Sequence, residues 1–220
     1  MKKIAIITAM QSEYDAIKSL YSFSGNNLEA RATVYEKEIL LLKSGIGKVN
    51  AALTADKACR LGVDLIINTG LAGGIDNCLE QGDVVLADKV CYHDVDCGEG
   101  NVVGQVQDLP LYFTSPKALI QKISKAAPHF KIGLTVTGDQ FLTDTKRLKQ
   151  IKKAFPQALA VDMESAAIAQ TCYINKIPFV SLRIISDVVG KKSQTEQYNS
   201  FWQNMTHLAT KMVDIAIKAL

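Results

Sequence analysis

The chain carries three acidic positions that follow apolar, β-rich segments. Asp162 and Glu164 lie in VDMES and Asp187 lies in RIISDVV, each at or just after the end of a predicted buried strand. Carboxylates are rarely buried without a partner, so their presence at these strand ends needs a physical reason. One reason is helix capping, since an aspartate before a helix accepts hydrogen bonds from free amides. Acid–base catalysis is the other, and the residues taken singly leave both open.

Glycine-rich segments follow two further strands. Thr69–Gly74, TGLAGG, comes after LIIN and would let a flat ligand approach the backbone closely, although an ordinary crossover turn would look the same. Ser44–Lys48, SGIGK, looks like a phosphate loop. However, Leu42 and Val49 stand where a Walker loop needs glycine and serine or threonine, and Asn50 replaces the last glycine of a dinucleotide fingerprint. A tight strand-to-helix turn is therefore predicted there.

A metal centre is not predicted. Cys91, His93 and Cys97 lie close together along the chain, but their spacing matches no paired structural zinc pattern and no second pair of ligands follows. The five cysteines are an odd number scattered through 220 residues, which is typical of reduced thiols in a cytosol. We therefore expect a cytoplasmic protein with no metal site.

Charge and hydropathy argue against two classes of partner. Lysine and arginine number 25 against 22 aspartates and glutamates, and no run of five like charges occurs, so no nucleic-acid surface is predicted. No segment approaches the roughly 18 apolar residues of a membrane span. The N-terminal MKKIAIITAM is interpreted as a buried first strand and not as a signal peptide, because Glu13 and Asp15 follow its short apolar run at once.

Short β-rich runs alternate with amphipathic stretches, a pattern that predicts a sheet between helices. Strands are predicted at Lys3–Thr8, Ala30–Tyr35, Ile39–Lys43, Leu65–Thr69, Asp83–Val90, Ile132–Thr137, Leu159–Met163 and Phe179–Ile185. Helices are predicted near Ser12–Ser19, Lys48–Leu61, Pro116–Ala126, Asp144–Ala154, Ser165–Asn175 and from about Tyr198 to the end. The second and third strands are interpreted as a hairpin around Glu36–Glu38, so the sheet should be mixed. With 48% hydrophobic residues and no linker, residues 1–220 are predicted to form one domain.

Two helices carry clear end signals in the sequence. Gly62 suits the left-handed residue just beyond a helix end, and Ser115 followed by Pro116 suits an N-cap and a first-turn proline. In such folds ligands bind at the carboxyl ends of the strands, because loops and helix N-termini with free backbone donors converge there. We therefore expect the functional site at that edge of the sheet.

Eight segments stand in the order and spacing of one known family over nearly the whole chain. They are AM..E at Ala9–Glu13, KSGIGKVNAA at Lys43–Ala52, INTGLAGG at Ile67–Gly74, GD at Gly82–Asp83, YHDVD at Tyr92–Asp96, GDQF at Gly138–Phe141, AVDMES at Ala160–Ser165 and LRIISDVV at Leu182–Val189. Together they resemble the methylthioadenosine/S-adenosylhomocysteine nucleosidases of the purine nucleoside phosphorylase superfamily. The resemblance implies a three-layer αβα sandwich with a central mixed, partly barrel-like sheet. It also implies hydrolysis of the N-glycosidic bond of 5′-substituted adenine nucleosides.

The resemblance implies catalytic roles for three carboxylates. Asp187, oriented by Ser186, is implied as the acid that protonates adenine at N7, because adenine leaves poorly as an anion. Glu164, helped by the Met163 backbone, is implied on the sugar hydroxyls, where a carboxylate stabilises the oxocarbenium-like charge that develops on the ribose. Glu13 is implied as the base that activates water.

Other residues are implied in substrate binding. Phe141 would stack on adenine while the Leu142 backbone contacts the edge of the base, and Met10 would line the sugar pocket. The remaining implied site residues are Ala72, Gly73, Asp162, Arg183, Tyr198 and Phe201, with Tyr198 and Phe201 closing the pocket. The mechanism requires no metal or organic cofactor. A homodimer is also implied, in which the loop after Tyr92 lies near the partner subunit's site.

The chain departs from the family pattern in two places. Leu71 stands where some members carry a small polar residue, which leaves any water contact at that position open. The loop Cys97–Pro110 has Gly100 and Gln107 near the places where members often have an aromatic residue and a proline over the partner's 5′ substituent. The preferred 5′ group therefore stays open.

Two alternative functions remain from the sequence. A noncatalytic nucleoside-binding protein would have no need of an acid, a base and a cation stabiliser together, so the three carboxylates argue against it. A phosphate-dependent purine nucleoside phosphorylase needs a site for a dianion, and Arg183 is the one of four arginines that lies in a candidate site segment. Glu13 would repel a bound phosphate, although Lys48 could compensate.

Overall fold

The computed structural model describes residues 2–190 and 194–220, without the side chains of 199–200 and 202–206. The described strands are β1 (Lys3–Thr8), β2 (Ser24–Gly25), β3 (Glu29–Val34), β4 (Lys37–Lys43), β5 (Leu65–Gly74), β6 (Val84–Tyr92), β7 (Phe113–Thr114), β8 (Lys131–Thr137), β9 (Ala158–Asp162) and β10 (Phe179–Val188). The described helices are α1 (Gln11–Lys18), α2 (Lys48–Arg60), α3 (Lys117–Ala126), α4 (Thr145–Ala154), α5 (Ser165–Asn175) and α6 (Gln194–Ala219). None of these helices is both long enough and apolar enough to span a bilayer.

The described strands form one sheet that closes on itself at one end. Its order is β10-β6-β8-β9-β5-β1-β4-β3-β2, with β7 beside β6, and β10 pairs with β5 as well. Strands β10, β6, β8, β9 and β5 therefore make a closed ring, from which β1, β4, β3 and β2 extend as an open sheet. Pairing is parallel in β1–β4, β1–β5, β5–β10, β6–β8 and β8–β9, and antiparallel in β6–β10, β5–β9 and β3–β4. The predicted mixed, partly barrel-like sheet is confirmed.

Helices cover both faces of the sheet because its central strands are apolar on both sides. On β1, Ile4 and Ile6 pack with side chains of α1, α3 and α6, whereas Ala5 and Ile7 pack with α2 and α5. Successive side chains of a strand point to opposite faces, so this alternation requires a helical layer on each. The predicted three-layer arrangement is confirmed.

The largest difference from the predicted elements lies in β5. This strand was expected to end at Thr69, but it continues to Gly74, so the TGLAGG segment is part of the sheet and not a crossover turn. Pairing on both sides explains the extension. Strand β10 pairs with β5 along the whole segment, and β9 pairs with Gly73 and Gly74. The glycine segment thus becomes part of the wall of the closed ring.

The helix end signals are only partly confirmed. Gly62 follows the end of α2 with a φ of 72°, the left-handed conformation that glycine adopts without strain. Ser115 does not cap α3. Its hydroxyl instead donates to the Ala87 carbonyl at 2.8 Å, and Pro116 occupies the N-cap position. The Ser115 hydroxyl therefore bonds to strand β6 and not to the first turn of α3.

The hairpin turn is tighter than predicted. Val34 pairs with Lys37, which leaves the two-residue turn Tyr35–Glu36, and both of its residues have positive φ values. Two-residue hairpin turns of this kind match the right-handed twist of the flanking strands. Residues 37 and 38 therefore belong to β4, and the two-residue strands β2 and β7, which were not predicted, complete the sheet.

Candidate active site

A cleft with an empty volume of about 640 Å³ opens at the carboxyl ends of β1, β4, β8, β9 and β10 and along the last residues of β5. Its described lining residues are Ala9, Met10, Glu13, Ile46, Leu71, Ala72, Gly73, Gln140, Phe141, Leu142, Val161, Asp162, Met163, Glu164, Ser186, Asp187, Val189 and Tyr198. These include four carboxylates and no lysine, arginine or histidine. The cleft is therefore acidic and otherwise largely apolar, at the edge where the sequence predicts ligand binding.

Arg183 lies behind the cleft wall, 1% exposed, with three carboxylates around it. Its Nε lies 2.7 Å from Asp162 Oδ2, and its Nη2 donates to Glu164 Oε2 at 3.3 Å. A Cβ on Gly70 would come within 2.7 Å of both Arg183 Nη1 and Glu13 Oε1, so the third carboxylate adjoins the guanidinium where residue 70 has no side chain. A buried guanidinium satisfied by several acceptors fixes their relative positions.

Both carboxylate oxygens of Asp162 accept hydrogen bonds from other groups of the protein. Thr137 donates its hydroxyl to Oδ1 at 2.6 Å, the Ser165 backbone N–H donates to both oxygens at 3.3 Å, and the Ser165 hydroxyl donates to Oδ2. Together with the Arg183 contact, these bonds make Asp162 the carboxylate that satisfies the start of α5. Glu164 occupies the N-cap position of that helix but makes no side-chain capping bond.

Glu164 is instead held by a distant loop. Its Oε1 accepts a hydrogen bond from the Gly47 backbone N–H at 3.0 Å, and Gly47 has a φ of 95°, a conformation suited to glycine. The SGIGK segment is thus the predicted strand-to-helix turn. Burial raises the pKa of Glu164 to about 7; Arg183 opposes this rise, and the neighbouring Asp162 adds to it.

Glu13 is 3% exposed and accepts three backbone hydrogen bonds. Ala9 and Met10 donate to Oε2 at 3.0 and 2.9 Å, and Leu71 donates to Oε1 at 2.9 Å. Burial raises the pKa of Glu13, and the charge of Arg183 and these amides oppose that rise. Leu71 also offers its carbonyl to Arg183 Nη1 at 3.4 Å. The backbone of this residue therefore supplies polar contacts that its apolar side chain cannot.

Asp187 lies inside β10, so it does not cap a helix. The pairing of β10 with β5 shifts register between Ile185 and Asp187, and such a bulge re-aims side chains. Ser186 and Asp187 are consecutive, yet the Ser186 hydroxyl donates to Asp187 Oδ1 at 2.5 Å. Gln194 Nε2 donates to Oδ2 at 2.8 Å. Burial raises the pKa of Asp187, and the two donors act in the opposite direction.

Apolar and aromatic groups form the remaining walls. The rings of Phe141 and Tyr198 meet edge to face with centroids 5.1 Å apart, and Phe141 is 56% exposed, so its ring is available to a ligand. A Cβ on Gly73 would lie 3.1 Å from a Val189 methyl group, 3.3 Å from a Val161 methyl group and 3.7 Å from Asp187 Oδ2, so the glycine lets these three side chains pack closely over the backbone of β5. Met10, Ala72, Leu142 and Met163 complete the predicted residues that line the cleft.

Phe201 does not line the cleft. It is 5% exposed and belongs to the hydrophobic cluster of α1, α3 and α6. Lining residues that the sequence did not predict include Ile46, Val161 and Val189, and the second donor to Asp187, Gln194, was not predicted either. An isolated glutamine seven residues after an aspartate carries no periodic or motif signal, so nothing in the sequence pattern pointed to it.

Lys48, the lysine nearest to the site by motif, is committed elsewhere. Its Nζ lies 2.7 Å from Asp94 Oδ2 and 5.4 Å from the centroid of the Tyr92 ring, and it is not among the cleft residues. Cys91 is buried and Cys97 exposed. In the part of the chain that the structure describes, no group of three or more histidines, cysteines or carboxylates is arranged to hold a metal ion.

The sequence and the fold are similar to those of known nucleosidases. Residues 3–220 match the family model described as the phosphorylase superfamily. A 5′-methylthioadenosine/S-adenosylhomocysteine nucleosidase of Staphylococcus aureus is 37% identical, and the match covers 99% of this chain and all of that one. The same enzyme from Neisseria meningitidis, in complex with methylthio-immucillin-A, superposes with a TM-score of 0.92 at 34% identity. That from Streptococcus pneumoniae, in complex with 8-aminoadenine, gives 0.92 at 35%, and both structures cover the two chains completely.

Replacing the buried guanidinium should destabilise the fold in a pH-dependent way. We expect Arg183→Met to lower the free energy of unfolding by about 3–5 kcal/mol at pH 8, because the carboxylates around it lose their compensating charge. The raised pKa values of Glu13 and Glu164 would rise further in the variant. The folded state would then bind more protons than the unfolded chain, so its stability should be best preserved near pH 5 and fall as pH rises.

Urea unfolding at several pH values measures this effect. Arg60→Met is the matched control, because Arg60 pairs with Asp56 on the surface of α2 and should cost under about 0.5 kcal/mol at every pH. An Arg183→Met loss as small as the control, or one that does not depend on pH, would contradict the shared-charge description.

Proposed function

The chain belongs to the phosphorylase superfamily, and on that premise we propose that it hydrolyses the N-glycosidic bond of 5′-substituted adenine nucleosides. Methylthioadenosine and S-adenosylhomocysteine are the proposed substrates, as the names of the similar enzymes suggest, and the products are adenine and the 5′-substituted ribose. One observation carries the proposal. The cleft combines Asp187, a carboxyl group whose pKa Arg183 does not shift, with Glu13 and Glu164, two carboxylates that adjoin the buried guanidinium of Arg183.

Asp187 is the proposed general acid. Adenine is a poor leaving group as an anion, so N7 must be protonated as the glycosidic bond breaks. Burial raises the pKa of Asp187 and thereby favours its protonated form, while Ser186 and Gln194 hold its two oxygens. Arg183 is not among the groups that shift this pKa, so among the described residues no cation opposes the effect of burial.

Glu164 is the proposed stabiliser of the ribosyl cation. Positive charge develops on the ribose ring as the base departs, and an ionised carboxylate at the sugar hydroxyls lowers the energy of that state. Arg183 favours the ionised form of Glu164, and the Gly47 amide fixes one of its oxygens. Met163, the preceding residue, lines the same wall and is the proposed backbone contact to the sugar.

Glu13 is the proposed base that takes a proton from the attacking water. Glu13 lies in the first turn of α1, and the backbone amides of Ala9, Met10 and Leu71 hold its carboxylate. Its pKa is raised by burial, which makes it a stronger base than an ordinary surface glutamate. Because Glu13 and Glu164 adjoin the same guanidinium, the base and the cation stabiliser lie on the same side of the cleft.

The proposed base-binding wall combines flat and aromatic surfaces. Phe141 would stack on adenine, and the Tyr198 ring meets the Phe141 ring edge to face. The Leu142 backbone would contact the edge of the base. Ala72 and Gly73 would allow the ring to lie close to β5, and Met10 would line the sugar pocket. Offset and edge-to-face aromatic contacts add binding energy beyond the buried area.

Water is the proposed second reactant, and no cofactor is required. A phosphate dianion would face the carboxylates of Glu13, Asp162 and Glu164, and no cationic residue is among the described lining residues. Arg183 is surrounded by Asp162, Glu164 and Glu13, and Lys48 is paired with Asp94. Unscreened like charges in a partly buried site repel strongly. The charges therefore support hydrolysis over phosphorolysis.

The proposed assembly is a homodimer that covers the 5′ end of the cleft. Ile46, Val49 and Leu53 are 52%, 71% and 65% exposed. Val49 and Leu53 lie four residues apart on one face of α2, and Ile46 lies just before the helix begins, so the three form an apolar stripe. Ile46 also lines the cleft, so a second copy on this stripe would extend the apolar cover of the substrate. Val102 and Val103 in the loop Cys97–Pro110 are exposed as well.

The proposed location is the cytoplasm. All five cysteines are free thiols, as expected for a reducing compartment. We propose no nucleic-acid or membrane partner.

Removing the acid should abolish turnover without abolishing binding. We expect Asp187→Asn to reduce kcat for methylthioadenosine by about 100- to 10,000-fold, because the amide keeps the shape of the side chain but cannot deliver a proton. Adenine release by purified enzyme and ligand affinity by calorimetry are the two measurements. Asp15→Asn on the exposed side of α1 should change kcat less than twofold, and a loss under tenfold in Asp187→Asn would remove Asp187 from the acid role.

Phosphate should leave the reaction unchanged. We expect the same rate of adenine release in phosphate-free buffer and with millimolar phosphate at matched ionic strength, with free reducing sugar as the second product. The acidic lining of the cleft is the physical reason. Strict dependence on phosphate with a ribose-1-phosphate product would falsify the hydrolase proposal.

A charge on the apolar stripe should separate the proposed dimer. We expect wild-type protein to sediment as a dimer and Leu53→Glu as a monomer, because burying an unpaired carboxylate in an apolar interface is strongly unfavourable. Leu28→Glu is the matched control, since Leu28 is 59% exposed in the β2–β3 connection, away from α2. A wild-type monomer, or a Leu53→Glu dimer, would refute this assembly.

A further inference from the structure

We infer that Gln194 is a positioning residue for the proposed acid, because its side-chain amide fixes the Asp187 carboxyl group to the segment that would contact the base. The inference deepens the proposed function and rests on it. Gln194 is the first residue of α6 and is 7% exposed. Its Nε2 donates to Asp187 Oδ2 at 2.8 Å and to the Leu142 carbonyl at 2.9 Å, and its Oε1 accepts from the Gly190 backbone N–H at 3.2 Å.

The neighbours of Gln194 determine which way its amide faces. The Leu142 carbonyl can only accept a hydrogen bond, and the Gly190 N–H can only donate one. Turning the amide over would place oxygen against oxygen and NH₂ against N–H, so both contacts would be lost. With the amide in the observed orientation, its two N–H groups are used by the Leu142 carbonyl and Asp187 Oδ2. Gln194 therefore acts on the acid as a fixed donor.

A fixed donor determines which oxygen of the neutral acid carries the proton. Oδ2 faces an N–H group, so in the acid form it is the carbonyl-type oxygen, and the proton lies on Oδ1. Ser186 Oγ is 2.5 Å from Oδ1 and 3.3 Å from the Ala72 carbonyl. Its hydroxyl can therefore donate to ionised Oδ1, or turn to Ala72 and leave Oδ1 to donate its proton to the leaving base. The transferable proton is held on one defined oxygen.

The same amide ties the acid to the base-binding wall. Leu142 lies in the loop between β8 and α4 and Asp187 lies in β10, and Gln194 joins the two with one rigid planar group. Positioning of this kind matters because a misplacement of about 1 Å can reduce a rate by about a hundredfold. Among the described residues, the other titratable groups that line the cleft with Asp187 are Tyr198 on α6 and the carboxylates of Glu13, Asp162 and Glu164. The donors that the structure gives to the Asp187 side chain are Ser186 and Gln194.

The test compares Gln194→Met with wild type by two measurements. Methionine keeps the length and the burial of the side chain but removes the N–H donor. That donor favours the charged form of Asp187. We therefore expect the pKa of Asp187 to rise by about one unit. The alkaline limb of kcat/KM against pH should move upward by the same amount, because the acid stays protonated to higher pH. At the plateau of the pH profile, kcat should fall by about ten- to a hundredfold, because the Asp187 carboxyl group is no longer held in line with the base.

Infrared titration of the carboxyl band reads the same pKa without turnover. The Asp187 signal is isolated as the difference between each protein and its Asp187→Asn counterpart. Should wild type release no adenine from any 5′-substituted nucleoside, the proposed function fails, whereas this titration still decides whether Gln194 acts on Asp187. The two failures are therefore distinguishable.

Gln81→Met is the matched control. The Gln81 amide donates to the backbone carbonyls of Ser186 and Gln197, at 2.9 and 2.7 Å, beside the same strand and helix but not to the carboxyl group. It should leave the titration midpoint and the alkaline limb unmoved. Gln194→Glu provides a second variant if Gln194→Met does not fold, and its carboxylate should raise the midpoint further. A folded variant at position 194 whose midpoint matches wild type would overturn the inference.

Discussion

Three carboxylates share one buried guanidinium, and this charge arrangement constrains the rest of the site. Arg183 cannot neutralise Glu13, Asp162 and Glu164 together, so the protein must supply other compensation. Part of it comes from backbone amides, such as Gly47 to Glu164 and Leu71 to Glu13. The remainder appears as raised pKa values, about 7 for Glu164 and above the ordinary range for Glu13. The carboxylate of Glu164, which the proposed mechanism uses in its ionised form, thus has a pKa close to neutral pH.

Asp187 lies in a different electrostatic environment although it opens into the same cleft. Burial raises its pKa, and its neighbours are neutral donors, Ser186 and Gln194. Asp187 lies where the pairing of β10 with β5 shifts register, and such irregularities change the direction of side chains. Carboxyl groups in one site can therefore differ in protonation, which is the condition for an acid and a base to coexist at neutral pH.

Closure of the barrel and assembly of the site depend on the same segment. Strand β5 must pair with β10 and β9 to close the ring, and it must also approach Arg183 and Glu13 closely. At Gly70 a Cβ would come within 2.7 Å of both side chains, and the φ of 154° there disfavours other residues. A substitution at this position would therefore disturb the fold and the proposed chemistry together.

The sequence by itself determined the alternation of strands and helices, the apolar faces and the carboxylates at the strand ends, because the hydrophobic period of a short segment indicates its secondary structure and its buried face. Eight ordered motifs added the family resemblance. Only the tertiary structure decided that Asp162 accepts the hydrogen bonds at the start of α5 while Glu164 reaches Gly47, that TGLAGG is a strand, and that Phe201 belongs to a hydrophobic cluster and not to the cleft lining. It also brought Gln194 to Leu142, 52 residues away along the chain. Hydrogen bonds between distant segments have no local period, so their partners are fixed only when the ring closes.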